Sequence, residues 1–352
     1  MEYLSERAAA LTPYQAGEQP KDAKYIKLNT NENPYPPSPK ITAAVQAAAA
    51  HLPLYPDPDA SGLVSAIAKT EGIGENCVFC GNGSDEVLSF TFGAFFGGEK
   101  PLLFPDITYS FYPVFAKFYG IQTKIIPLNR NFEINADDYL QPASGVIFPN
   151  PNAPTGIFLD PAEISRLLDY HKNCVVAIDE AYIAFGGQSV VPMIREYPNL
   201  LVIRTLSKSH SLAGMRVGYA LGQPQLIDGL QRVKNSFNSY PVDRLAAAAA
   251  ETAVLDTAYY ADIDGRVVRT RDRFAAELKA LGFTVLPSGS NFVFASPADR
   301  ADAKTLFEKL KDHGVLVRYF DQPRINAFLR ISIGTDEDME KVVAILKQIL
   351  AA

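Results

Sequence analysis

A mostly parallel, doubly wound α/β sheet in a large domain, joined to a smaller α+β domain, is what this sequence of 352 residues predicts. Three observations predict it. Between 41 and about 240, seven apolar runs of strand length alternate with helical patterns. Those runs are continuously apolar, as strands covered on both faces must be. After a long helical region at 243–281, the pattern changes to short strands mixed with helices.

Taken in order, residues 1–40 are rich in Pro, Asn and Lys, and Pro34, Pro36, Pro37 and Pro39 bar a helix, so this stretch reads as an extended arm. The seven runs lie at 76–80, 101–104, 122–126, 145–148, 174–178, 200–204 and 216–221. Between the fourth and fifth, Asp160 is placed to cap a helix, Pro161 suits its first turn, and Glu163 completes a capping box. The alanine runs at 47–50 and 246–250 fit helices packed tightly in or beside the core. Short strands follow at 283–286, 290–294, 315–318 and 328–333, with helices at 300–313 and 336–351. The expected units are therefore an arm over 1–40 that packs with the small domain or a partner subunit, a large domain over 41–245 and a small domain over 246–352.

Composition narrows the class. With 47% hydrophobic and 20% charged residues the chain reads as soluble and globular, and a formal charge of −6 points to neither nucleic acid nor an anionic membrane. The first residues carry no basic stretch followed by an apolar one, and the alanine runs are too short to span a bilayer, so a cytoplasmic enzyme is expected. Three cysteines make no disulfide scaffold. Cys77 and Cys80 have CxxC spacing, but in an extended strand positions i and i+3 face opposite ways, so both read as core cysteines and no metal is expected.

In a doubly wound sheet, ligands bind beyond the carboxyl ends of the strands, and there the unusual residues of this chain gather. Run 76–80 leads into Gly81-Asn82-Gly83-Ser84-Asp85-Glu86 and then a helical pattern, which suits either an anion site or an ordinary tight turn with a cap. Run 174–178 ends in Asp179-Glu180-Ala181-Tyr182. A carboxylate directly after four apolar residues is costly to bury unpaired; a protonated pyridine nitrogen would be one partner, and a magnesium ion another, though no Walker A loop is present. Run 200–204 ends in Thr205-Leu206-Ser207-Lys208, with Arg216 further on. Lys208 alone could be a snorkelling side chain; partly desolvated, its amine becomes a nucleophile that condenses with an aldehyde.

These motifs, with Leu11-Thr12-Pro13-Tyr14, Leu28-Asn29-Thr30-Asn31-Glu32-Asn33-Pro34, Tyr55-Pro56-Asp57 and Leu329-Arg330-Ile331-Ser332-Ile333-Gly334, resemble the fold-type-I pyridoxal-phosphate aminotransferases, in their histidinol-phosphate branch, over nearly the whole chain. The resemblance implies that Lys208 holds pyridoxal 5'-phosphate as a Schiff base and moves the reacting proton. It implies that Asp179 pairs with the ring nitrogen, Tyr182 bonds the phenolic oxygen and Tyr109 stacks on the ring. Ser84 and Asp85 amides, with Thr205, Ser207 and Arg216, would bind the cofactor phosphate. Tyr55 would reach that phosphate from a second subunit, making a homodimer with shared sites. Ala153 stands where the family has an asparagine before Pro-Thr-Gly, so either Asn152 takes its place through a shifted loop or Tyr182 acts largely alone.

For substrate, the resemblance implies an amino donor and a 2-oxo acid: histidinol phosphate and 2-oxoglutarate, giving imidazole acetol phosphate and glutamate. Arg318, Arg330 and Tyr14 would hold the donor's distal phosphate, with Asn31 also in the substrate pocket; a surface salt bridge is the plainer reading of Arg318 taken alone. An aromatic aminotransferase and a threonine-phosphate decarboxylase use the same scaffold. A non-catalytic regulator that binds the cofactor is the reading from another class; such proteins carry an added DNA-binding domain, for which no residues are left over here.

Overall fold

The computed structural model describes residues 3–13, 17–19 and 25–351. The expectation for Tyr14 lies outside the described residues. In chain order the elements are α1 (Glu6–Ala9), β1 (Ile26–Lys27), α2 (Lys40–Ala49), α3 (Ser61–Glu71), β2 (Val78–Asn82), α4 (Gly83–Phe95), β3 (Leu102–Pro105), α5 (Phe111–Tyr119), β4 (Thr123–Ile126) and β5 (Gly145–Pro149). They continue through α6 (Pro161–Tyr170), β6 (Val175–Asp179), β7 (Leu200–Thr205), β8 (Val217–Gly222), α7 (Pro224–Phe237), α8 (Arg244–Leu255) and α9 (Thr257–Ala280). The last are β9 (Thr284–Val285), β10 (Phe292–Ser296), α10 (Ala303–Asp312), β11 (Val315–Leu316), β12 (Arg318–Tyr319), β13 (Leu329–Ser332) and α11 (Asp336–Ala351).

All seven apolar runs form one sheet, ordered β2-β8-β7-β6-β5-β3-β4. Only β8 runs antiparallel to its neighbours, so the other six share one direction. The strands obey the two-residue period of a pleated sheet. On β6, Val175 and Ala177 pack with Phe90 and Phe92 of α4, Phe115 of α5 and Leu230 of α7. Val176 and Ile178 pack instead with the face that holds Leu63 of α3, Leu167 of α6 and Ala249 of α8. Asp179 continues the first series and therefore emerges on the α4/α5 side.

Local chemistry sets several boundaries. Asp160 accepts from the Ala162 amide at 2.8 Å and Pro161 opens α6, as expected. Glu163 does not close a capping box: its carboxylate pairs with the Arg166 guanidinium one turn on. The helical region at 243–281 is two helices. Asp256 lies between them, with its carboxylate held by Ser38 Oγ at 2.6 Å and Lys40 Nζ at 2.7 Å. The alanine runs differ from each other. In α8, Ala246, Ala249, Ala250 and Ala253 are buried, whereas in α2 only Ile41 is.

The C-terminal strands form an antiparallel sheet ordered β12-β13-β10-β9. The arm contributes β1, which pairs in parallel with β11, Ile26 opposite Val315. Cys77, Cys80 and Cys174 are free; burial pushes the Cys80 thiol up to about 12, which leaves it an inert core group. Among the described residues no helix is long and apolar enough to cross a membrane.

Candidate functional site

Because β2, β5, β6 and β7 run the same way, their carboxyl ends open on one rim. At the end of β2 the chain turns into α4 through Gly83 at φ +79°, where a Cβ would sit 2.7 Å from Arg216 Nη2. Gly218 of β8 underlies the same turn, and a Cβ there would lie 2.3 Å from the Ser84 amide nitrogen. The first-turn amides of α4 are thus held against the sheet and have no intrahelical acceptor, the ordinary makings of an anion site. Gly218→Ala is expected to push this turn away, costing about 1–3 kcal/mol of stability and weakening phosphate binding; thermal melts with and without the phosphate-bearing ligand check both.

The cleft beneath that turn has a volume of about 300 Å³ and is lined by Ser84, Asp85, Tyr109, Asp179, Tyr182, Thr205, Ser207, Lys208 and Arg216. Asp179 is buried, accepting from the Ala181 amide through Oδ1 and from the Tyr112 hydroxyl through Oδ2, both at 3.1 Å. No lysine or arginine forms an ion pair with it among the described residues, and burial pushes its carboxyl up to about 6. Among the described residues Lys208 is the one lysine lining this cleft. Its Nζ donates to the Thr30 carbonyl at 3.0 Å, and burial, followed by the Arg330 charge, brings its amine down to about 8.

Around these two groups the others are fixed by hydrogen bonds. Tyr109 donates to Asp85 Oδ1 at 2.7 Å, and Arg216 reaches Asp85 Oδ2 at 3.2 Å. The Thr205 hydroxyl donates to Ser207 Oγ at 3.0 Å. Asn31, itself at φ 56°, donates through its side-chain amide to the Tyr182 hydroxyl at 2.9 Å. The direction of that amide is set by Ser332, whose hydroxyl donates to Asn31 Oδ1 at 2.8 Å.

An adjoining cleft shares Thr30, Tyr109, Ala153, Tyr182 and Lys208 with the first and extends to Asn31, Arg318, Phe320, Gln322 and Arg330. Arg318 and Arg330 stand directly opposite each other across β12 and β13. Both guanidinium groups lie over the Phe320 ring, at 5.4 and 5.6 Å from its centre. No carboxylate pairs with Arg318 among the described residues, so the surface salt bridge considered for it is not what the structure shows.

One of the expected cofactor residues is elsewhere. Asn152 lines neither cleft: its amide donates to the Ile107 carbonyl and to Thr155 Oγ1, both at 3.0 Å, while Ala153 faces the cavity. Tyr55, expected to serve a second subunit's site, is 80% exposed, stacks on Tyr240 at 5.0 Å and lines neither cleft of its own chain. Sequence reasoning missed the Thr30 carbonyl and Tyr112. The first is a backbone group that no residue type signals, and the second is one aromatic among many between 109 and 119.

A family model described as aminotransferase class I and II matches residues 23–346. Among curated proteins, the histidinol-phosphate aminotransferase of Acinetobacter baumannii (strain SDF) is 54% identical over 352 residues, covering 99% of this chain and 97% of the relative. That of Clostridium acetobutylicum is 50% identical over 350 residues, covering 99% of each. Among solved structures, the histidinol-phosphate aminotransferase of Sinorhizobium meliloti, in complex with pyridoxal 5'-phosphate, superposes with a TM-score of 0.89 at 23% identity. It covers 100% of this chain and 98% of its own, a likeness of fold. Matched from end to end at half or more of its positions, the chain belongs to the class I and II aminotransferases and, among them, to the histidinol-phosphate aminotransferase family.

Proposed function

We propose that the chain transfers the amino group of histidinol phosphate to 2-oxoglutarate, giving imidazole acetol phosphate and glutamate, with pyridoxal 5'-phosphate as its cofactor. The observation that carries this reading is the placement of Arg318 opposite Arg330 in a cleft that also contains Lys208. Like charges directly across a sheet repel, and a dianionic phosphate between them offsets that cost.

The residues present fit the cofactor. Asp179 is a buried carboxylate lacking a cation, Lys208 is a buried amine in the same cleft, and the amino end of α4 with Arg216 supplies a phosphate cradle. When bound, the cofactor supplies an electron sink that stabilises negative charge on the carbon bearing the amine. Asp179 holds the ring-nitrogen proton, and Tyr182, steadied by Asn31, bonds the phenolic oxygen. Tyr109 covers the ring face. Ser84, Asp85, Thr205, Ser207 and Arg216 bind the phosphate. Lys208 would attach the cofactor, and its amine, whose proton burial makes easier to lose, would take the proton from the substrate's amine-bearing carbon and return it. Arg318 and Arg330 bind the distal phosphate of the donor and, in the second half-reaction, the carboxylates of the 2-oxo acid.

The same reading makes the enzyme a homodimer. Leu52, Leu54, Tyr55, Phe237 and Tyr240 are exposed apolar groups, and Tyr55 would approach the partner's phosphate cradle. It divides the chain into an arm over 1–40, a large domain over 41–245 and a small domain over 246–352. Its three free cysteines suit the cytoplasm.

A donor panel tests the reading: histidinol phosphate, phenylalanine, tyrosine and phosphothreonine, with glutamate and carbon dioxide both measured. Histidinol phosphate is expected to give the highest kcat/KM and one glutamate per turnover. Carbon dioxide released from phosphothreonine without amino transfer would sink it, and a preference for phenylalanine or tyrosine would move the assignment to aromatic transamination.

A further inference from the structure

We propose that Tyr112 is a positioning residue for Asp179: its hydroxyl fixes the plane of that carboxylate and holds it ionised to receive the cofactor's ring nitrogen. The inference rests on the reading of Asp179 given above. It starts from the two-residue period of β6, which turns Asp179 toward α5, where Tyr112 occupies the first turn. Tyr112 has no exposed surface, and its hydroxyl donates to Asp179 Oδ2 at 3.1 Å. Its ring is held by Phe92, by Phe104, and by Tyr109 at 5.8 Å and 88°. The hydroxyl therefore cannot swing away without repacking three aromatic rings, and the same ring braces Tyr109 at the cleft wall.

The electrostatics explain why such a donor is needed. Burial favours the protonated form of Asp179, and the charges of Asp85 on α4 and neighbouring Glu180 push the same way. Tyr109 and Tyr182 are the other titratable groups on that side, with Lys208 and Arg216 lining the cleft. Against burial stand the Ala181 amide and the Tyr112 hydroxyl. Burial and the Asp179 charge hold the Tyr112 phenol well above its ordinary range, so it remains a donor throughout the working pH. A protonated Asp179 could not pair with a pyridinium nitrogen. A core tyrosine satisfying its hydroxyl on the nearest acceptor would show the same contact, so the test must read Asp179 itself.

In the apoenzyme, the Asp179 carboxyl stretch is followed by difference infrared spectroscopy across pH, with Asp179→Asn to assign the band. Tyr112→Phe removes one oxygen and keeps the ring. It is expected to raise the Asp179 midpoint by about one pH unit and to weaken pyridoxal 5'-phosphate binding by roughly tenfold below neutrality, the loss shrinking as pH rises. Ring-fluorinated tyrosine at position 112, a stronger donor, is expected to move the midpoint the opposite way, which packing alone would not do. A wild-type midpoint and wild-type cofactor affinity in Tyr112→Phe, or no shift with the fluorinated residue, overturns the proposal. If Asp179→Asn itself leaves cofactor affinity and activity unchanged, the assignment of Asp179 fails instead, and the infrared shift alone then still reports on Tyr112.

Discussion

Replacing Lys208 by alanine is expected to lower amino-transfer turnover by ~10⁴-fold, the upper range for removing a positioned proton carrier, while leaving the protein folded. Among the described residues no other lysine lines either cleft to offer a substitute amine. The wild-type amine is shifted down to about 8 by burial and by Arg330, against 10.5 in an open chain. The folded protein thus binds this proton less tightly than the unfolded chain. The resulting stability penalty is full below pH 8 and fades as pH rises from 8 toward 10.5. Losing the amine removes that penalty, so the variant's melting temperature at pH 7 should not fall through charge loss. Activity of the wild type should climb as pH approaches 8, where the neutral amine becomes abundant. Small primary amines added to Lys208→Ala should restore part of the rate, because the cavity left behind lies within the cleft. A variant retaining more than about a hundredth of the wild-type rate would remove Lys208 from the proton-transfer role.

That lysine was legible in the sequence because its setting is regular. A buried strand, β7, delivers it to the rim, and apolar runs of four to six residues survive any uncertainty about boundaries. Asp179 was legible for the same reason: a charge ending such a run stands out. What the sequence did not reveal has equally physical causes. β1 and β11 are two residues each, too short for any period to show, so the arm's packing on the small domain or a partner subunit could be expected but not the strand pairing that joins it to the C-terminal half. Asp256 reads as one more polar residue in a helical stretch until Ser38 and Lys40, more than two hundred positions away, are seen to hold it. Asn152 has the side chain expected for a phenolic-oxygen contact, but the carbonyl of Ile107 and the hydroxyl of Thr155 engage its amide. Tyr112 shows the reverse: its side-chain type is shared by every core tyrosine, and only the register of β6 against α5 gives its hydroxyl a charged acceptor.

Arg330→Ala is expected to cut kcat/KM for the phosphorylated donor by about 10²–10³-fold, mostly through KM, since truncating one half of a desolvated charge pair costs about 2–5 kcal/mol. Arg330 is half-buried, bonded to the Asn29 carbonyl at 2.8 Å and packed over Phe292 and Phe320, so its guanidinium is pre-aimed and little entropy is lost when an anion arrives. Arg318, across the strand pair, is fixed by fewer contacts, and Arg318→Ala should cost less. The two losses should not add, because the arginines repel each other and the anion bound between them offsets that repulsion, so removing one changes what the other contributes. The sharpest readout compares histidinol phosphate with histidinol: the wild type should prefer the phosphorylated donor strongly, and the variant should lose most of that preference. The 2-oxoglutarate half-reaction should weaken in parallel, since the same pair accepts its carboxylates. Unchanged kinetics with phosphate and carboxylate substrates alike would take Arg330 out of the site and leave the phosphate specificity without its anchor.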